Sequence, residues 1–106
     1  MVSEKQNLGA IAGNLSRPFV HAVVGRVDDY CVYLTRMFGD YRYHSHGRDE
    51  LYLVLEGEII IDYSDGRRVT LTPHESLVVK AGESHRSAAE RDALVLMFKA
   101  CEMFAE

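Results

Sequence analysis

Short apolar segments, each followed by residues typical of turns, make up most of the chain. From Phe19 onward they are rich in β-branched and aromatic side chains and recur about every ten residues. Short strands at this spacing are typical of an all-β sandwich or barrel. The segments that we predict to be strands are Phe19–Val27, Tyr30–Phe38, Tyr41–His46, Leu51–Leu55, Ile59–Tyr63, Val69–Thr72, Leu77–Lys80, Ser84–Ala88 and Leu94–Ala100.

The dipeptide Asp65-Gly66 predicts a tight hairpin between two of these segments. Glycine adopts a positive φ without steric cost and aspartate tolerates one, which suits a short turn between antiparallel strands. Ile59–Tyr63 and Val69–Thr72 are therefore expected to pair as neighbours in a sheet.

Only the segment Ser3–Gly13 favours a helix. Leu8, Ile11 and the following Leu15 recur at spacings of three and four, although two glycines weaken the pattern. We expect a short helical or irregular segment packed on the outside of the barrel. The expected organisation is an N-terminal segment over residues 1–18, one barrel domain over residues 19–100 and a C-terminal tail over residues 101–106.

Four of the predicted strands are apolar on both faces, which is unusual for so small a β domain. An antiparallel strand with one solvated face normally alternates apolar and polar residues. Two interpretations remain open: a homodimer that packs sheet against sheet, which we favour, or a flattened barrel with surplus apolar residues at its edges and under the N-terminal segment. The four strands contain Leu51–Leu55, Ile59–Ile61, Leu77–Val79 and Leu94–Phe98.

Composition and charge narrow the classes of partner. The 106 residues are 47% apolar and 26% charged, which fits one globular domain, and the net charge is −4. This acidic balance argues against nucleic acid and anionic membranes as partners, since both attract a positive field. No stretch approaches the roughly 20 apolar residues that cross a bilayer. The first residues do not resemble a secretory signal, and we expect a cytoplasmic protein.

The two cysteines, Cys31 and Cys101, are too few for a disulfide scaffold. Both lie in apolar strand contexts. We therefore expect two reduced thiols that pack as small buried apolar side chains.

Three histidines and one glutamate form the pattern that points to chemistry. His44 and His46 are separated by one residue on a predicted strand, so both side chains project to the same face. Glu50 stands at the start of the next strand, and His85 follows a turn that opens another. A barrel can bring these four side chains to one place. The alternative is that His44 and His46 are two solvated surface side chains.

Imidazole nitrogens and a carboxylate oxygen are suitable ligands for Fe, Mn, Co, Ni, Cu or Zn as divalent ions. Four protein ligands leave two open positions on an octahedral ion, which can accept water, a bidentate substrate, or substrate and dioxygen. The ligands must be deprotonated, so we expect binding to weaken as the histidines protonate below about pH 6.

The same residues lie within a motif that resembles the first motif of the cupin superfamily. Gly39 is followed after four residues by His44-Ser45-His46, after three more by Glu50 and after six more by Gly57. The cupin motif has the same order of residues, with one more residue after its first glycine.

The second cupin motif is matched less completely. Gly82 and His85 are present, whereas His74, Lys80 and Ala89 replace a glycine, a proline and an asparagine of the motif. The replaced positions are framework positions rather than ligands. The resemblance runs from Gly39 to Ala89, about half of the chain.

Within the superfamily, Tyr43 to Gly57 is similar to the small single-domain cupins described as phosphomannose isomerase-like. The resemblance implies a double-stranded β-helix, or jelly-roll barrel, that is often dimeric. It also implies one divalent transition metal ion held by four residues: His44, His46, Glu50 and His85. Because one fold hosts many reactions, the resemblance does not identify the reaction.

Three further residues share the predicted face of the ligands. Arg42 is a candidate for holding a carboxylate or phosphate, and Tyr52 is a candidate proton donor or outer-shell hydrogen-bond donor. The alternatives are a solvated charge for Arg42 and a core aromatic for Tyr52. Ser87 has the parity of His85 and is a weaker candidate for lining the pocket.

Other polar residues near the motifs have structural interpretations. Asp49, beside Glu50, is expected to cap a turn rather than to bind metal. His74 follows Pro73 and is interpreted as a turn residue, and His21 has no partner in the sequence.

The resemblance, together with the spacing of the four candidate ligands, leads us to expect a single-barrel cupin with one divalent metal ion inside the barrel. A metal-dependent enzyme of the isomerase or dioxygenase type, acting on a small polar molecule, is the favoured function. The alternatives are a non-catalytic module that binds a small ligand or the metal itself, and a structural barrel with vestigial histidines.

Overall fold

The computed structural model describes residues 4–101 and contains, in that part of the chain, one short helix followed by seven strands. The predicted all-β barrel is confirmed. No helix within residues 4–101 has the length and hydropathy that crossing a membrane requires. The elements are α1 (Leu8–Ala12), β1 (His21–Val27), β2 (Tyr30–Asp40), β3 (Glu50–Glu56), β4 (Ile59–Tyr63), β5 (Arg68–Leu71), β6 (Ser76–Val79) and β7 (His85–Ala100).

The long strand β7 connects the sheet by pairing antiparallel with three other strands. In its first half, Ser87 lies opposite Ile61 of β4. In its second half, Met97 lies between Tyr33 of β2 and Tyr52 of β3. Strands β1, β6 and β5 pair in turn with β2, β3 and β4. This change of partners along β7 curls the sheet around an interior.

Two strand predictions need correction. Tyr41–His46 is not a strand, because within it only His44 forms a bridge, to His85. The separate strands predicted at Ser84–Ala88 and Leu94–Ala100 are one continuous strand. The exposed polar residues 90–92, which lie between the two predicted segments, are the solvated part of a strand whose pairing with β2 continues around an irregularity.

Helix α1 is shorter than the predicted Ser3–Gly13, whose first residue lies outside the described part of the chain. The Asn7 side chain caps the helix by accepting a hydrogen bond from the backbone N–H of Ala10 at 3.0 Å. Gly13 ends the helix after five residues. Glycine is a poor helix former, and its position accounts for the early end.

Apolar residues form one cluster inside the barrel and a second cluster on its outer surface. The inner cluster includes Val54, Ile61 and Val95. In the outer cluster, Leu34 and Leu96 are covered by the N-terminal segment. The Arg36 guanidinium group fixes this segment by donating hydrogen bonds to the carbonyl oxygens of residues 12 and 15. Part of the surplus apolar surface is therefore covered within one chain.

The prediction that Cys31 and Cys101 are reduced thiols is wrong. The two form a disulfide bond between positions 70 residues apart, with Cα atoms 4.8 Å apart. Pairing of β2 with β7 brings them together, since Cys31 lies opposite Lys99 and the Cys101 N–H donates a hydrogen bond to the Asp29 carbonyl oxygen at 3.0 Å. The rest of the predicted tail, residues 102–106, lies outside the described residues.

Candidate metal centre

Four side chains with metal-binding atoms meet inside the barrel. Each offers one donor atom, and these atoms all lie within 4.8 Å of one another. The Nε2 atoms of His85 and His46 lie 3.2 and 3.5 Å from Oε1 of Glu50. The ring centroids of His44 and His85 are 4.5 Å apart. The structure thus brings together the four predicted ligands, all buried: His44, His46, Glu50 and His85.

Backbone hydrogen bonds position these side chains. The backbones of His44 and His85 exchange two N–H···O hydrogen bonds of 2.9 Å and so form a β-bridge. The His46 carbonyl oxygen accepts a 2.9 Å hydrogen bond from Gly82, in the turn before β7. Glu50 is the first residue of β3. These backbone hydrogen bonds hold His44 and His46 against β7 and the turn before it. The imidazoles of both residues are buried in the barrel interior.

The orientation of two imidazole rings is fixed from outside the cluster. Nδ1 of His44 lies 2.9 Å from the Arg42 carbonyl oxygen, and Nδ1 of His85 lies 2.8 Å from that of Glu83. A carbonyl oxygen can only accept, so both Nδ1 atoms carry the hydrogen and donate. In the neutral form of a ring oriented in this way, Nε2 presents its lone pair to the cluster. Metal-binding histidines are oriented by hydrogen bonds of this kind.

The contact between His85 and Glu50 fits a cation in the cluster. Nε2 of His85 lies 3.2 Å from Oε1 of Glu50, and a proton or a metal ion can join two such atoms. In addition, Oε2 of Glu50 is buried and has no hydrogen-bond partner within residues 4–101. A buried His/Glu cluster with this unsatisfied carboxylate oxygen fits a metal site.

The charge state of the cluster also suits a cation. Burial lowers the pKa of His44 to about 4, despite the hydrogen bond to the Arg42 carbonyl group, which raises it. Burial alone would raise the pKa of Glu50, but the neighbouring imidazoles and Lys99 outweigh burial and lower it. Near neutral pH, His44 is therefore neutral and Glu50 is ionised, and these are the forms that bind metal.

Tyr52 lies beside the cluster and faces inward, an orientation that the sequence left open because it depends on the strand register. Its hydroxyl oxygen is 3.3 Å from Nε2 of His85, and the side chain is buried. Burial, followed by the charge of Glu50, raises the pKa of Tyr52 well above the usual value. The hydroxyl group therefore keeps its proton and can donate a hydrogen bond to an acceptor in the cluster.

A cavity of about 370 Å³ opens onto the cluster. Arg42 and Ser87, two predicted neighbours of the site, both line this cavity, Arg42 from an exposed position and Ser87 from a buried one. The other walls are largely aromatic or apolar. They include Phe19, Tyr33, Met37, Tyr41 and Met97.

Sequence reasoning missed two basic residues of the cavity. Lys99 is buried, and its Nζ lies 4.0 Å from Oε2 of Glu50 and 5.4 Å from the ring centroid of Tyr33. The available signal was its parity, because Lys99 shares the inward face of β7 with Met97. His21 also lines the cavity, with its ring centroid 5.4 Å from that of Tyr33.

Two polar residues near the motifs are outside the cluster. Asp49 accepts a 2.9 Å hydrogen bond from the Ala81 N–H and a 3.4 Å one from Lys80, so it connects two loops. His74 is exposed and has a φ of 72°, which places it in a turn. Both have the structural roles expected from the sequence.

Comparison with known proteins identifies relatives of this chain. A family model described as "Cupin domain" matches residues 39–99. The chain is 38% identical over 87 residues to the uncharacterized protein YdbB from Bacillus subtilis (strain 168), covering 81% of this chain and 77% of that protein. The segment that the family model matches contains all four predicted ligands: His44, His46, Glu50 and His85.

Solved structures share the fold. A cupin-2 domain containing protein from Shewanella frigidimarina superposes with a TM-score of 0.85 at 23% identity, over 90% of this chain and 93% of that one. Hydroquinone 1,2-dioxygenase from Sphingomonas sp. TTNP3, solved with 4-hydroxybenzoate bound, has a TM-score of 0.77 at 20% identity, over 95% and 81% of the chains. At these identities the similarity concerns the fold.

Proposed function

The chain belongs to the cupin domain family, and we propose that it holds one divalent transition metal ion inside its barrel. The observation that carries the proposal is the meeting of four buried ligand atoms within 4.8 Å of one another, beside Oε2 of Glu50, which has no hydrogen-bond partner within residues 4–101. A divalent ion bound there would satisfy this buried oxygen. The proposed ligands are His44, His46, Glu50 and His85.

We further propose that the chain is a metal-dependent enzyme acting on a small molecule, of the isomerase or dioxygenase type. A metal ion in this set would supply Lewis acidity and, if it is iron, affinity for dioxygen. The cavity beside the cluster is of the size that small ligands occupy. Two of the structural neighbours are hydroquinone 1,2-dioxygenases, so barrels of this fold host oxygen chemistry in those proteins.

The proposed roles of the surrounding residues follow from their positions. Tyr52, with its proton retained, donates a hydrogen bond to oxygen atoms that develop negative charge beside the cluster. Arg42, exposed at the cavity wall, attracts an anionic group to the opening. Neither Tyr52 nor Arg42 is proposed to bind the metal ion directly.

Elemental analysis of protein purified without a histidine tag tests the metal proposal. We expect about one divalent ion per chain in the wild type and far less in a His44→Ala/His46→Ala variant. His74→Asn is the matched control, because it removes an exposed histidine and asparagine tolerates the positive φ there. Equal metal content in the wild type and in the His44→Ala/His46→Ala variant would contradict the proposal.

The second candidate function is a non-catalytic module that binds a small ligand or the metal itself. Water-proton relaxation of the Mn²⁺-loaded protein separates the two functions. An enzyme needs coordination positions that exchange with solvent, so strong relaxation enhancement supports the catalytic function. A value no higher than that of a fully coordinated ion favours the binding module.

We also propose a homodimer that packs sheet against sheet. Strand β1 exposes Val23 and Val27 at 59% and 63% of their surfaces. Exposed apolar side chains on a sheet favour packing against a second chain. A monomer in light scattering at micromolar concentration would contradict this proposal.

The predicted cytoplasmic location is retained as a proposal. In that compartment, glutathione and thioredoxin keep most thiols reduced, so the Cys31–Cys101 bond would form under oxidising conditions. Trapping free thiols by alkylation in intact cells, followed by fractionation and mass analysis, tests this. We expect fractionation to recover the protein from the cytoplasm, where the alkylation measures how much of the bond is present, and recovery of the protein from another compartment would contradict the proposal.

A further inference from the structure

We propose that the ligand of the cavity is a small organic anion with an aromatic or other apolar body, and that Lys99 binds the charged group of this ligand. This inference rests on the metal site proposed above and names the class of ligand that the site takes.

The first argument is charge. Without a metal ion, the buried ammonium group of Lys99 and the buried carboxylate of Glu50 compensate each other at 4.0 Å. An ion bound to Glu50 brings two positive charges, which exceed the single negative charge of that carboxylate. Lys99 then adds a further positive charge in the same cavity. A buried excess of positive charge is costly, and burial already lowers the pKa of Lys99 although the charge of Glu50 raises it. An anion in the cavity would compensate the excess and preserve the ammonium form.

The second argument is the position of Lys99. The backbone of Lys99 on β7 is held by pairing with Cys31 of β2. The Nζ atom of Lys99 lies over the Tyr33 ring. Only 10% of the side chain is exposed, so the ammonium group is directed into the cavity and not to bulk water. The group lies close to Glu50, so a ligand atom beside the metal site is also within its reach. An oxyanion there would receive charge-assisted hydrogen bonds.

The third argument is the nature of the walls. Phe19 and Tyr41 contact each other with ring centroids 5.0 Å apart, and Met37 and Met97 also line the cavity. An aromatic or apolar ligand body buries its surface against these side chains. A sugar would place more of its hydroxyl groups against these apolar surfaces, which is unfavourable wherever a hydroxyl group finds no hydrogen-bond partner.

The test compares a carboxylate probe with its neutral isostere on the metal-loaded protein. Binding of benzoate, benzamide and mannose 6-phosphate to the Mn²⁺-loaded protein is measured by calorimetry, with metal content determined for every sample. We expect benzoate to bind roughly 10- to 100-fold more tightly than benzamide, as a charged hydrogen bond implies. We also expect benzoate to bind more tightly than mannose 6-phosphate.

Variants assign this preference to Lys99. Lys99→Met, of similar length, should lower the benzoate-to-benzamide ratio severalfold at unchanged metal content, whereas Lys99→Arg should keep most of it. Lys80→Met is the matched control, since Lys80 is exposed and pairs with Asp49 outside the cavity. If Lys99→Met does not fold, Lys99→Gln takes its place, since it keeps a hydrogen-bond donor without the charge.

Several results would overturn the inference. Equal affinity of the wild type for benzoate and benzamide would do so without any variant. An unchanged ratio in Lys99→Met would show that the carboxylate is selected by the metal ion and not by Lys99. Tighter binding of mannose 6-phosphate would exclude the apolar class of ligand. A wild type that takes up no metal would instead contradict the proposed function on which the inference rests.

Discussion

His44 and His85, 41 positions apart in the chain, exchange two backbone hydrogen bonds of 2.9 Å and place their imidazole rings 4.5 Å apart. The backbone bridge and the side-chain cluster are thus one structural unit. Because the bridge fixes both Cα positions, the donor atoms are held before any ion binds. Such preorganisation reduces the entropy that binding would otherwise cost.

Removal of the charge of Glu50 should weaken metal binding strongly. Glu50→Gln keeps the size of the side chain but leaves a neutral oxygen in place of a carboxylate, so attraction to the cation falls. Since loss of an outer-shell partner alone costs roughly 10- to 100-fold in affinity, we expect at least the upper end of that range. Competition with a fluorescent chelator measures it.

Glu75→Gln is the control for this prediction. Glu75 is exposed and accepts hydrogen bonds from Thr72, far from the cluster along β3 and β6. Its variant should bind metal like the wild type. Similar affinities for the Glu50 and Glu75 variants would show that Glu50 is not a ligand.

Gly57 should be far less tolerant of substitution than Gly39, although both have positive φ, of 80° and 84°. A Cβ at Gly57 would lie 2.9 Å from the Asp92 carbonyl oxygen and 3.0 Å from Ala93, whereas a Cβ at Gly39 would meet nothing within 4 Å. We expect Gly39→Ala to cost about 1–2 kcal/mol of stability from backbone strain alone. Gly57→Ala should cost more, by about 1–3 kcal/mol for the clash.

Urea unfolding of both glycine variants measures the difference, since the strain term is shared and the clash is not. Equal losses in the two variants would mean that the backbone at residues 92 and 93 moves away without cost.

Reduction of the disulfide should lower stability. The Cys31–Cys101 bond closes a loop over a sequence separation of 70 residues, and loop-closure entropy for this length corresponds to about 4 kcal/mol. We expect a lower urea midpoint in the presence of a thiol reductant. A Cys31→Ala/Cys101→Ala variant should show the lower midpoint with or without reductant. A wild type that does not respond to reductant would contradict the prediction.

The metal-free protein should lose stability as the pH falls from about 6.5 towards 4. The pKa of His44 is about 4 in the folded protein and about 6.5 in the unfolded chain. In this range the unfolded chain binds a proton that folded His44 does not, so acidification favours unfolding. The contribution of neutral His44 is fully present above pH 6.5 and decreases below it.

Urea unfolding at pH 7 and pH 5 checks the pH dependence. A His44→Gln variant, which has no titrating group at this position, should lose less stability between the two pH values than the wild type does. The control His74→Asn should behave like the wild type. Identical losses in wild type and His44→Gln would show that His44 does not contribute.

Local sequence patterns predicted much of the fold because strand periodicity and turn chemistry act between near neighbours. The Asp65-Gly66 turn, with φ of 97° at Gly66, connects β4 and β5 in the register that a hairpin requires. Tyr52 shares the parity of Glu50 on β3, but only the structure shows that this face is the inner one. The exposed polar residues 90–92 separate two apolar segments, so the sequence predicted two strands where the structure has one.

The sequence by itself determined the all-β class and the candidate ligands, since both depend on residue type and short spacing. Tertiary structure alone decided which distant residues meet. Antiparallel pairing of β2, β3 and β7 brought Cys31 to Cys101 and Lys99 to Glu50. These contacts join positions 70 and 49 residues apart. Register between strands is set by packing across the whole barrel, and no local pattern encodes it.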